Sequence, residues 1–117
     1  MEKNIKDIVK TVYKAMDDKK AEKIKIIYIG DISVMADYFI ICSGHSVSQL
    51  NAITDNITEE LLKIGINGGI IEGHKNAGWI LMDYKDVVIH VFSREDRDFY
   101  DLERIWKDGK FLTVEEL

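Results

Sequence analysis

Between Glu72 and Trp106, EGHKNAGWILMDYKDVVIHVFSREDRDFYDLERIW, the hydrophobic repeat changes once, and that change constrains what the second half of the chain can become. Trp79 to Tyr84 and Val87 to Phe92 are short runs of β-branched, aromatic and large apolar residues separated by Lys85 and Asp86, the pattern of a hairpin. Both runs are nearly continuous in apolar character, so at least one belongs in the middle of a sheet covered on both faces. After Phe92 the repeat lengthens. Ser93 followed three residues later by Asp96 resembles a capping box, and Phe99, Leu102 and Trp106 recur at helical spacing. A helix is expected there with those three residues on its buried stripe, and Gly109 can end it.

The first half supplies the rest of an α/β layout. Ile5, Ile8, Val9, Val12 and Met16 fall on one face of a helix over residues 2 to 17. Ile24 to Ile29 and Tyr38 to Ser43 read as strands. Ser46, with Gln49 at the capping-box position, opens a second helix whose buried face is Leu50, Ile53, Ile57, Leu61 and Leu62, up to Gly65. Ile70 to Glu72 is a short strand. The natural solution for this order is a single mixed β-sheet flanked by helices, one domain over residues 1–117. Lys110 to Leu117 is open between an edge strand, a docked tail and a frayed end.

Composition narrows the class. At 117 residues with 46% hydrophobic and 32% charged content, the chain can bury one core, and no apolar run nears the roughly 20 residues of a membrane helix. The N-terminal MEKNIKDIVK lacks an apolar signal core, so a cytoplasmic protein is expected. Cys42 is the single cysteine, lies in an apolar strand and reads as core. Net charge is −5, and Lys19, Lys20, Lys23 and Lys25 are interleaved with Asp17, Asp18 and Glu22. That pattern fits a solvated helix end rather than a nucleic-acid patch, and an acidic domain suits a basic protein partner.

Three candidate sites for chemistry can be weighed. Ser43-Gly44-His45-Ser46 lies between a strand and a helix, where backbone amides can meet an anion, but it lacks the lysine and glycine spacing of a phosphate loop. A turn and an N-cap explain its residues, and no strand carboxylates follow to hold metal ions; Asp55, Glu59 and Glu60 lie in the second helix. His45, His74, His90 and Cys42 have no zinc-like spacing. His90, inside a strand, is either a hydrogen-bonded structural residue or a surface-facing contact. Glu95, Asp96 and Asp98 fit the positive end of a helix without a metal. No catalytic, cofactor or metal constellation assembles.

ADYFIICSGHSVSQLNAI, then EG followed by WILMDYKDVVIHVF, then FYDLERIW, in this order and at these separations, closely resemble the ribosomal silencing factor, or Iojap, family. The resemblance covers about residues 4 to 108. It implies a mixed α/β sheet related to nucleotidyltransferases but without their catalytic residues, and no cofactor. It further implies binding to the fourteenth protein of the large ribosomal subunit on the face that meets the small subunit, so that joining is blocked and translation falls when nutrients are scarce. Free homologues are often dimers. The family's marked positions correspond to Asp37, Tyr38, Ser43, Gly44, Gln49, Glu72, Gly73, Trp79, Asp83, His90, Tyr100, Leu102, Glu103 and Trp106. Many members carry an acidic residue just before the tryptophan, where this chain has Gly78.

Trp79, Asp83, His90, Tyr100, Asp37 and Glu72 are the candidate partner contacts. Trp79 either docks the partner or caps the core. Tyr100 lies about 100° round the helix from the Phe99, Leu102 and Trp106 stripe and is expected to be half-exposed, whereas Trp106 is expected to be structural. The alternative class is a nucleotide- or metal-dependent transferase.

Overall fold

The computed structural model describes residues 4–73 and 78–117. His74 and the middle of the GHKNAG segment lie outside them.

Asn4 caps helix α1, Ile5–Asp18, by accepting from the Lys6 backbone N–H at 2.8 Å. Val9, Val12, Ala15 and Met16 recur at three- and four-residue spacing and are all buried. Strands β1, Glu22–Tyr28, and β2, Tyr38–Gly44, follow as an antiparallel pair. Helix α2, Val47–Lys63, begins at Ser46, whose side chain accepts from the Gln49 N–H. The Gln49 side chain departs from the expected box: its carbonyl accepts from His45 N–H at 2.7 Å, and its amide donates to the Lys19 and Lys20 carbonyls. One residue thus ties the start of α2 to the end of α1.

Leu50, Ile53, Ile57 and Leu61 are buried as expected, but Leu62 is 53% exposed and does not join them. Leu61 already fills the core-facing position of the last turn, and the next residue lies about 100° further round the helix. Next come β3, Ile70–Glu72, then β4, Trp79–Asp83, and β5, Val87–Ser93. The chain ends with β6, Lys110–Leu112, and a 3-10 turn over Val114–Glu116. Of the three possibilities for the tail, the edge strand is the one formed.

The six strands of the described residues make one sheet in the order β3-β4-β5-β2-β1-β6. Within it β2 and β5 run parallel, and the other neighbouring pairs are antiparallel. Strand alternation then separates two faces. Tyr38, Ile40, Cys42, Val87, Ile89, Val91, Ile80 and Met82 pack with α1 and α2 in one core cluster. Each fully buried Ile or Leu there contributes about 1.5–3 kcal/mol of transfer free energy. Ile27, Ile41 and Phe92 point the other way, into a smaller cluster covered by Leu102 and Trp106. That cover is partial, and the incompletely covered half is where the candidate site lies.

Candidate functional site

On the face turned away from α1 and α2, strand register sets up three rows. Trp79 lies beside Phe92 and Phe92 beside Ser43; Leu81, His90 and Ile41 form the next row; Asp83, Val88 and Phe39 form the third. Large rings occupy much of this lattice. Trp106 meets Phe39 at 5.1 Å between centroids, Phe39 meets His90 at 4.8 Å, and Trp79 lies 5.0 Å from Phe92 and 4.6 Å from Tyr100. Phe99 extends the run, 5.0 Å from Tyr100. The result is an aromatic ridge crossing the sheet and running onto the segment after β5.

That segment differs from the single helix expected. Helix α3, Arg94–Tyr100, is capped by the Ser93 side chain accepting from Asp96 N–H, and then stops. Asp101 takes a left-handed conformation, φ 46° and ψ 53°, before the one-turn helix α4, Leu102–Ile105. This break interrupts the 3.6-residue repeat, so Phe99 leaves the expected buried stripe and is 79% exposed. Leu102 and Trp106 keep the structural role, half-buried against the smaller cluster.

Trp79, His90 and Tyr100 are brought together. Trp79 is half-buried and Tyr100 is 40% exposed, so each both packs and presents a surface. His90 is 4% exposed, enclosed among Phe39, Trp79 and Phe92. The Trp79 indole N–H donates to His90 Nδ1 at 3.1 Å, which leaves the imidazole proton on Nε2, a buried atom with no hydrogen-bond partner among the described residues. Burial disfavours the imidazolium and pushes the His90 pKa from 6.5 down to about 4. His90 is therefore a neutral pillar beneath the ridge.

The acidic candidates are more dispersed. Asp83 is half-buried, and its carboxylate accepts from Lys85 N–H at 2.8 Å, holding the β4–β5 turn in which Lys85 has φ 73°. Asp37 is half-buried at the start of β2, where its backbone N–H donates to the Asp86 carbonyl at 2.9 Å. Asp37 and Asp83 thus flank the same turn. Glu72 is exposed on edge strand β3, beside Leu81.

Two residues of the site escaped the sequence reading. Phe39 bridges His90 and Trp106, and its alternation with Tyr38 and Ile40 was the available signal. Arg97 is 5% exposed. Its only sequence signal is being a lone cation among Glu95, Asp96, Asp98, Asp101 and Glu103.

The other candidate chemistry resolves locally. A cleft of about 520 Å³ is lined by Gly44, His45, Ser46, Gly78 and Ser93 to Asp96. Ser46 and Ser93 hydroxyls serve there as helix caps, the Arg94 guanidinium that also lines the cleft is paired with the Glu22 carboxylate, and the Glu95 and Asp96 carboxylates disfavour an anion. A Cβ at Gly78 would collide with Asp96 Oδ2, so an acidic side chain there would have to displace that carboxylate. Cys42 is fully buried, and burial pushes its thiol up to about 12. Among the described residues, no three His, Cys, Asp or Glu side chains are grouped to hold a metal ion, and no helix is long and apolar enough to cross a membrane.

The family model described as ribosomal silencing factor during starvation, RsfS, matches residues 2–117. The chain belongs to the RsfS family. A ribosomal silencing factor RsfS from Bacillus subtilis is 43% identical over 112 residues, covering 96% of this chain and 95% of that protein. The chloroplastic protein Iojap of Arabidopsis thaliana is 33% identical, over 87% of this chain and 42% of that longer protein. A crystal structure of a Chromobacterium violaceum protein superposes with a TM-score of 0.86 at 30% identity, covering 90% of this chain and 88% of that one. Membership in RsfS makes the chain a ribosome-associated regulator of translation.

Proposed function

We propose that the chain docks through the Trp79, Tyr100 and Phe99 ridge onto the fourteenth protein of the large ribosomal subunit. Bound there, it keeps the small subunit from joining and so lowers translation under nutrient limitation. The observation that carries the reading is an exposed aromatic run on the incompletely covered half of a sheet, in a chain of this family. Tryptophan and tyrosine supply large rigid contact area at small entropic cost and are enriched at interface hot spots. The net charge of −5 favours a basic partner, and Asp37 and Asp83 flank one end of the site while Glu72 lies on the edge strand. Free copies pairing through the same apolar surface would compete with this docking. The test is direct binding to the isolated fourteenth protein, with Tyr100→Ala as the weakened control. Saturable binding reduced by the substitution supports the reading, and absence of binding by the unmodified chain refutes it.

A further inference from the structure

The contact between Arg97 and Glu103 contains information about the segment that carries the ridge. Arg97 Nε donates to Glu103 Oε1 at 2.7 Å, and Nη2 donates to the Lys23 carbonyl at 2.6 Å; Nη1 is buried with no hydrogen-bond partner among the described residues. Lys23 lies at the irregularity in β1, with φ 50°. In a continuous helix, side chains three and four apart meet, whereas a residue six positions on is rotated about 240° and raised about 9 Å. The observed ion pair is therefore incompatible with one helix through residues 94–106. It requires the left-handed break at Asp101, a conformation that aspartate tolerates better than most side chains but less readily than glycine.

The unbroken alternative is the one written in the hydrophobic repeat. One helix would place Phe99, Leu102 and Trp106 on a common stripe, whereas the broken form leaves Phe99 79% exposed and packs Tyr100 against Trp79. We propose that Arg97 and Glu103 are positioning residues for docking, their ion pair selecting the broken α3–α4 geometry that presents Phe99 and Tyr100 beside Trp79. Neither residue needs to touch the partner. This inference rests on the ridge being the docking surface.

Purified large ribosomal subunits are the probe, with affinity and backbone Cα chemical shifts at residues 98–103 as paired readouts. Glu103→Ala is expected to lower affinity by about fivefold or more and to move the Asp101 shift toward helix, because it removes a contact unique to the broken form. Adding Asp101→Gly is expected to restore both, since glycine adopts the left-handed conformation without steric cost. Simple loss of a partner contact at Glu103 would not be rescued in this way. Asp101→Ala keeps the Arg97 and Glu103 side chains but disfavours the left-handed conformation their pair requires, and is expected to weaken docking by itself, which keeps the test open if Glu103→Ala fails to fold. Unchanged affinity in both single variants overturns the inference, as does failure of Asp101→Gly to rescue. If the unmodified chain does not bind large subunits, the docking reading falls instead, and a helical Asp101 shift unaltered by Glu103→Ala overturns the positioning role independently.

Discussion

Acidification from pH 7 to pH 5 is expected to destabilise the fold through His90. The imidazole is 4% exposed, and its pKa lies at about 4 against 6.5 for the free side chain. Between those values the unfolded chain binds a proton that the folded chain refuses. Stability therefore rises with pH across that window: the full contribution is present above 6.5 and is lost as pH falls toward 4. One pKa unit corresponds to about 1.4 kcal/mol, so the whole contribution is about 3 kcal/mol, of which about 2 kcal/mol disappears by pH 5. Protonation also removes the Nδ1 lone pair that accepts the Trp79 indole N–H, so the ridge loosens where the fold weakens. The assay is urea unfolding at pH 7, 6 and 5 for the chain and for His90→Phe. The substitution adds a pH-independent cost by leaving the indole N–H unpaired, and the pH-dependent difference between the curves isolates His90. A flat difference from pH 7 to pH 5, or an imidazole titrating near 6.5 by NMR, would refute the reasoning.

Tyr100→Ala is expected to weaken binding to large subunits by about tenfold, as for an interface hot spot, while cooperative unfolding is retained; loss of cooperativity in a denaturant melt would instead assign Tyr100 to the core. The Cys42 thiol, buried and raised to about 12, is expected to react with a thiol reagent only on unfolding; rapid labelling of the native chain would contradict its placement. Leu62→Asp is expected to change stability by under about 0.5 kcal/mol, and Leu61→Asp by several kcal/mol, because Leu62 is 53% exposed and Leu61 is fully buried. Comparable midpoints for the two variants would refute the helix phase.

Most of the framework was legible because burial imposes a period. The alternation in β2, β4 and β5 and the stripes of α1 and α2 are direct consequences of one face meeting a core. The same logic failed after Ser93, where Phe99, Leu102 and Trp106 satisfy a helical repeat that the chain does not follow. What overrides the repeat there is a tertiary contact, the Arg97 ion pair with its bond to the Lys23 carbonyl, across a sequence separation that no local pattern encodes. His90 is a parallel case. Its place in an apolar strand left a structural or a surface role open, and only the register of Trp79, Phe92 and Phe39 around it encloses the ring. Leu62 marks the limit of pattern reading at a helix end, where Leu61 alone suffices to fill the core.

The most direct test of the docking account is subunit joining. Large subunits preincubated with the chain and then mixed with small subunits are separated on a sucrose gradient, with Tyr100→Ala in parallel. The expected result is that the chain sediments with free large subunits and joined particles are depleted, with joining recovered in the Tyr100→Ala sample. Joined particles forming in full with the chain still bound to them would contradict the account.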